Sequence, residues 1–125
     1  MSWEQLHERM DFMAALIERA AVDPEAALDF SDDQRCDIDR LFGNEEGLLL
    51  TLRQRWMTTL TAKLDQAAHD DIPPEQARAE LAAALPGLRA LLDSAGRRSV
   101  RMRAFDNGER RVIDLYEGPR RETVA

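Results

Sequence analysis

Between residues 45 and 70 the apolar side chains recur at every third or fourth position: Leu48, Leu49, Leu52, Trp56, Leu60, Leu64 and Ala67. Arg53, Gln54 and Asp65 fall off that stripe. The spacing follows the 3.6-residue turn of an α-helix and excludes a strand, whose side chains change face at every residue. A helix with one apolar stripe is not held in water by its own hydrogen bonds; other elements must cover the stripe. The remainder of the chain is best read as that cover.

Most of it has the same period, cut into lengths by caps and prolines. Ser2 and Gln5 form a capping box, so a helix begins at Trp3 with Trp3, Leu6, Met10, Met13, Ile17 and Ala20 as its expected buried stripe. Asp23 followed by Pro24 opens a short helix expected to reach Phe30. Ser31 and Gln34 form a second box, opening a helix that Gly43 stops at Phe42, and Asn44 caps the long helix. Pro73-Pro74 starts a further helix carrying Ala77, Leu81, Leu85, Leu88 and Leu92, which Pro86 should kink or split and Gly96 should end. The body therefore reads as a bundle of four or five helices.

The last segment has a different pattern. Residues 99–105 and 110–116 alternate polar and apolar side chains around Asp106-Asn107-Gly108-Glu109, and Asn-Gly favours a two-residue hairpin turn. Closing that turn opposes Met102 with Ile113, Val100 with Leu115 and Arg101 with Asp114. The expected fold class is thus mainly α, with a C-terminal two-stranded β-hairpin. The 125 residues suit a single domain: an acidic helical body over 1–96, a basic hairpin over 97–117 and a flexible tail over 118–125.

Charge follows the same division. Residues 1–96 carry 9 basic and 19 acidic side chains, whereas residues 97–121 carry 8 arginines and 4 acids. In the hairpin, Arg97, Arg98, Arg101, Arg103, Arg110 and Arg111 would gather near Phe105 and Tyr116, which makes these eight residues the expected partner-binding set. A two-stranded ribbon bearing arginine and aromatic side chains can enter a nucleic-acid groove. The acidic body opposes a phosphate backbone, so docking of the basic strands on acidic helices, of the same chain or of a second copy, is the preferred expectation. A hairpin alone is marginal in water, and open strand edges favour pairing across a two-fold axis in a homodimer.

Catalytic signatures are sparse. Glu4 and His7 stand at metal-ligand spacing on a helix, but a carboxylate-bridged centre needs a second such pair, and His69 does not supply it. Cys36 lies among Asp32, Asp33, Asp37 and Asp39, which oppose a thiolate, so burial as a small apolar residue is expected. One cysteine excludes an internal disulfide and a multi-cysteine zinc site, and suits a reducing compartment. The start lacks a basic-then-apolar leader, and residues 79–92 are interrupted by Glu80, Pro86 and Arg89, so a cytoplasmic location without membrane insertion is expected. No catalytic residue, metal or cofactor is assigned. The expected function is a small non-enzymatic interaction or regulatory module that associates with itself or with another protein. The alternatives are a nucleic-acid-associated regulator and a small-molecule binder or enzyme with a pocket near Trp56.

Overall fold

The computed structural model describes residues 2–124, with side chains described for residues 2–118. Seven helices occupy the described residues: α1 Trp3–Val22, α2 Pro24–Ala27, α3 Asp32–Phe42, α4 Glu45–His69, α5 Pro74–Ala84, α6 Pro86–Arg98 and α7 Val100–Val124. The boundaries follow the caps. Ser2 and Gln5, and again Ser31 and Gln34, exchange reciprocal side-chain to backbone hydrogen bonds. Asp23 and Asn44 each accept a backbone N–H from three residues on, at 3.1 and 2.7 Å. Gly43 turns the chain out of α3 at φ +86°, a left-handed conformation that only glycine adopts freely. Pro86 splits rather than kinks its helix, because it sits at the first position of α6, where a backbone donor is not needed.

The core lies around α4, which packs on α3, α5, α6 and α7. Leu48, Leu52, Trp56, Leu60 and Leu64 are buried along it, joined by Leu16 from α1, Leu91 from α6 and Ile113 from α7. Gly87 sets how closely α1 and α6 cross. A Cβ there would stand 2.4 Å from the Ile17 carbonyl oxygen.

Two expectations fail at the C-terminal end. No strand occurs among the described residues, and the hairpin segment is the helix α7. Gly96 does not end the preceding helix, which runs to Arg98. The break falls at Ser99, whose Oγ accepts the Met102 backbone N–H at 3.3 Å. The reason is a second periodicity in the same residues: Met102, Phe105, Glu109, Ile113 and Tyr116 stand three or four apart and form one face of a helix. That face covers the core, with Met102, Glu109 and Ile113 buried. An isolated two-stranded ribbon offers no comparable burial, so tertiary packing outweighs the local Asn-Gly preference. Gly108 has a use within the helix. A Cβ there would lie 3.1 Å from Arg53 Nη2, so the bare backbone admits that guanidinium. Of the residues 118–125 expected as a flexible tail, α7 takes in those up to Val124, while the side chains from residue 119 onward lie outside the described residues.

The first helix also differs from its pattern. Its buried residues are Met13, Leu16 and Ala20, while Trp3 is 73% and Met10 52% exposed, and Leu6 is exposed too. The contacts of this first half run to α3. Arg9 lies over the Phe42 ring at 5.0 Å, the Phe12 and Phe42 rings are 5.9 Å apart, and Arg40 pairs with Glu8 at 2.8 Å. The expected stripe faces the core only where α6 is present to receive it.

Candidate functional site

The inner face of α7 carries one carboxylate into the core. Glu109 is 7% exposed, and its Oε1 accepts from Trp56 Nε1 at 2.8 Å and from Arg78 Nε at 3.2 Å. Arg89 Nη1 stands 3.6 Å from the same oxygen, and the Arg89 guanidinium lies over the Trp56 ring at 4.6 Å. Arg89 also pairs with Asp93 at 2.8 Å, one turn along α6. Residues of α4, α5, α6 and α7 therefore meet at one oxygen atom. A buried charge persists only when paired, and here two arginines and an indole N–H supply the pairing.

Beside this cluster, Arg53 donates through Nη2 to the Phe105 carbonyl at 2.6 Å and lies over the Phe105 ring at 4.6 Å. Burial pushes its pKa down, against the opposing pull of Glu109 and Asp106. It stays charged, since an arginine does not lose its proton in a protein. A cleft of about 370 Å³ opens between α5, α6 and α7, lined by Arg78, Arg89, Arg110, Asp93, Asp106 and Glu109. Three cations face three anions, and each arginine already holds a carboxylate: Arg78 holds Glu109, Arg89 holds Asp93, and Arg110 holds Glu75. The cleft is a neutralised ion network rather than a cradle for an anion. Glu109 Oε1 accepts two hydrogen bonds, from Trp56 and Arg78, whereas Arg89 Nη1, buried 3.6 Å away, faces it as an ion-pair partner without a hydrogen bond.

The eight residues singled out in the sequence do not converge. A helix advances about 100° per residue, so it scatters arginines that a ribbon would place side by side. Arg97 reaches Glu25 on α2 at 3.3 Å and Ser94 Oγ at 2.8 Å. Arg101 pairs with Glu46 on α4 at 3.0 Å, and Arg103 donates to the Gly96 carbonyl at 3.1 Å. Arg110 pairs with Glu75 on α5. Phe105 is half-buried beneath Arg53, and Tyr116 donates its hydroxyl to Asp65 on α4, which raises the phenol pKa above its ordinary value. Arg98 and Arg111 are exposed. The basic segment thus meets acidic helices of its own chain, as a helix and one pair at a time.

Sequence reasoning missed the Trp56–Glu109 pair. The signal was Glu109 standing midway in the period from Met102 to Tyr116, where a charged residue replaces an apolar one. Cys36 is exposed rather than buried, because α3 turns only Ile38 fully inward. His7 is exposed and stacks edge-on against Trp3, with ring centroids 4.8 Å apart. Among the described residues, no three of His, Cys, Asp or Glu converge as metal ligands. No described helix is long and apolar enough to cross a membrane.

The other surface feature is apolar. Trp3, Leu6 and Met10 form an exposed ridge on α1 at helical spacing. The ridge continues through Ala14 to Ile17 and Ala21, where it enters a groove of about 440 Å³ lined by Leu85, Pro86 and Leu88. Comparison of the chain with protein-family models, with curated proteins and with solved structures finds no match.

Proposed function

We propose that this protein is a non-catalytic interaction module whose contact surface is the apolar ridge of α1, and that the charged cluster at Trp56 is the lock holding α7 on the body. The observation that carries the reading is Trp3, 73% exposed on a helix whose second half is packed into the core. An indole and a thioether left largely in water beside Leu6 bury little area in the fold, but they supply large apolar area and adaptable shape to a partner. The nucleic-acid alternative loses its support because the ribbon it needs is not formed and Arg97, Arg101 and Arg110 are held by carboxylates. The pocket alternative is not favoured either, since the polar cleft is internally neutralised.

The test is a photo-crosslinking residue placed at position 6 of the full chain in its native cell. Mass-mapped crosslinks to a defined protein, lost on Trp3→Ser with Met10→Ser while the melting temperature holds, are the expected result. Crosslinks that are absent, or indifferent to those substitutions, overturn the reading.

A further inference from the structure

From the same ridge we infer that its occupant is a second copy of this chain, with α1 of one copy lying against the outer face of α7 of the other. This rests on the ridge being a contact surface, and it adds the partner. Of seven large apolar residues that are exposed among the described residues, four are on α1 (Trp3, Leu6, Met10 and Val22) and two are on α7 (Val100 and Leu115). The two faces match in length. Trp3 to Ile17 spans about 21 Å of helix and Val100 to Leu115 about 22 Å, at 1.5 Å per residue.

They also match in charge. The ridge of α1 is flanked by Glu4, Asp11 and Glu18, all exposed and without an ion pair among the described residues. The outer face of α7 carries Val100, Ala104, Arg111 and Leu115, and Arg98 stands just before it. Arg98 and Arg111 are exposed and likewise without an ion pair among the described residues. Pairing α1 with α1 would bring three carboxylates against three, and pairing α7 with α7 would oppose arginines. Only the crossed pairing covers both apolar faces while joining unlike charges. The partner surface that the ridge calls for is thus present on the molecule itself.

Sedimentation equilibrium of the full chain at low salt and about 100 µM tests this, using Asp11→Lys with Glu18→Lys as one variant and Arg98→Glu with Arg111→Glu as the other. All four positions are exposed, and circular dichroism checks that each variant keeps its helix content. The wild type is expected to associate and each variant to associate about tenfold more weakly or worse. An equimolar mixture of the two variants should regain hetero-association, because one then offers lysines and the other glutamates. A wild type that stays monomeric, or a mixture that fails to recover, overturns the second-copy assignment. Neither result touches the interaction reading, which fails separately if the position-6 crosslinks are absent.

Discussion

The first and last helices are both amphipathic and reverse each other. α1 leaves Trp3, Leu6 and Met10 in water, whereas α7 buries Glu109. On α1 the apolar residues outnumber the neighbours able to cover them, so half the stripe is surplus to folding. On α7 a charged residue sits on the core face because Trp56, Arg78 and Arg89 were placed to receive it. The difference shows that apolarity alone does not decide burial. What decides it is whether a complementary surface stands opposite, and that depends on elements far away in sequence.

The largest effect that breaks this comparison is expected at Glu109. Glu109→Leu leaves Trp56 Nε1 without an acceptor and Arg78 without its carboxylate, and leaves Arg89 with Asp93 alone, at a cost of about 3 kcal/mol. That corresponds to a fall in melting temperature on the order of 10 °C by calorimetry. Glu109→Gln keeps an acceptor for the indole, so its cost is expected to fall below that of Glu109→Leu. A Glu109→Leu protein as stable as the wild type would show that the cluster does not hold α7. A smaller loss is expected at Gly87→Ala, about 1–3 kcal/mol, since the added methyl meets the Ile17 carbonyl and must push α1 and α6 apart. Near zero is expected for Trp3→Ser, Leu6→Ser and Met10→Ser, each within about 0.5 kcal/mol in denaturant unfolding. A large loss at any of them would mean that the ridge belongs to the core after all.

The smallest effect is a titration. Tyr116 is the only tyrosine, so ultraviolet absorbance at high pH follows it alone. The hydroxyl donated to Asp65 holds its pKa above the ordinary 10.0, with burial adding to the effect. The sign is that of a group with a raised folded pKa. The bond contributes stability below the unfolded pKa, and this is lost as pH rises through the folded one. Asp65→Ala should move the phenol back toward its ordinary value. An unshifted wild-type phenol would mean that the far end of α7 does not rest on α4.

Much of the fold was legible because caps act locally. Ser2, Asp23, Ser31, Asn44 and Pro74 each marked a helix start that needs no tertiary information. The stripe of α4 was legible for a different reason: buried on several sides, its pattern and its environment agree. The C-terminal segment was misread because residues 99–116 satisfy both periods, and Asn107-Gly108 added a local preference for a turn. The helical period contained a charged residue at its centre, which concealed it until Trp56 and two arginines were seen to face that position. The site was hidden for the same reason. Glu109, Arg78 and Arg89 come from three helices, and no spacing within one segment brings them together.

Asn107→Ala tests the docked helix most directly. In α7 Asn107 is exposed and mid-helix, so alanine is expected to raise stability by about 0.5 kcal/mol and to leave the helical circular dichroism signal undiminished. In a hairpin the same substitution removes a residue suited to the left-handed turn, and it would destabilise the chain and lower its strand content. Increased stability with retained helix is the predicted result. Destabilisation with a loss of strand signal would contradict the account.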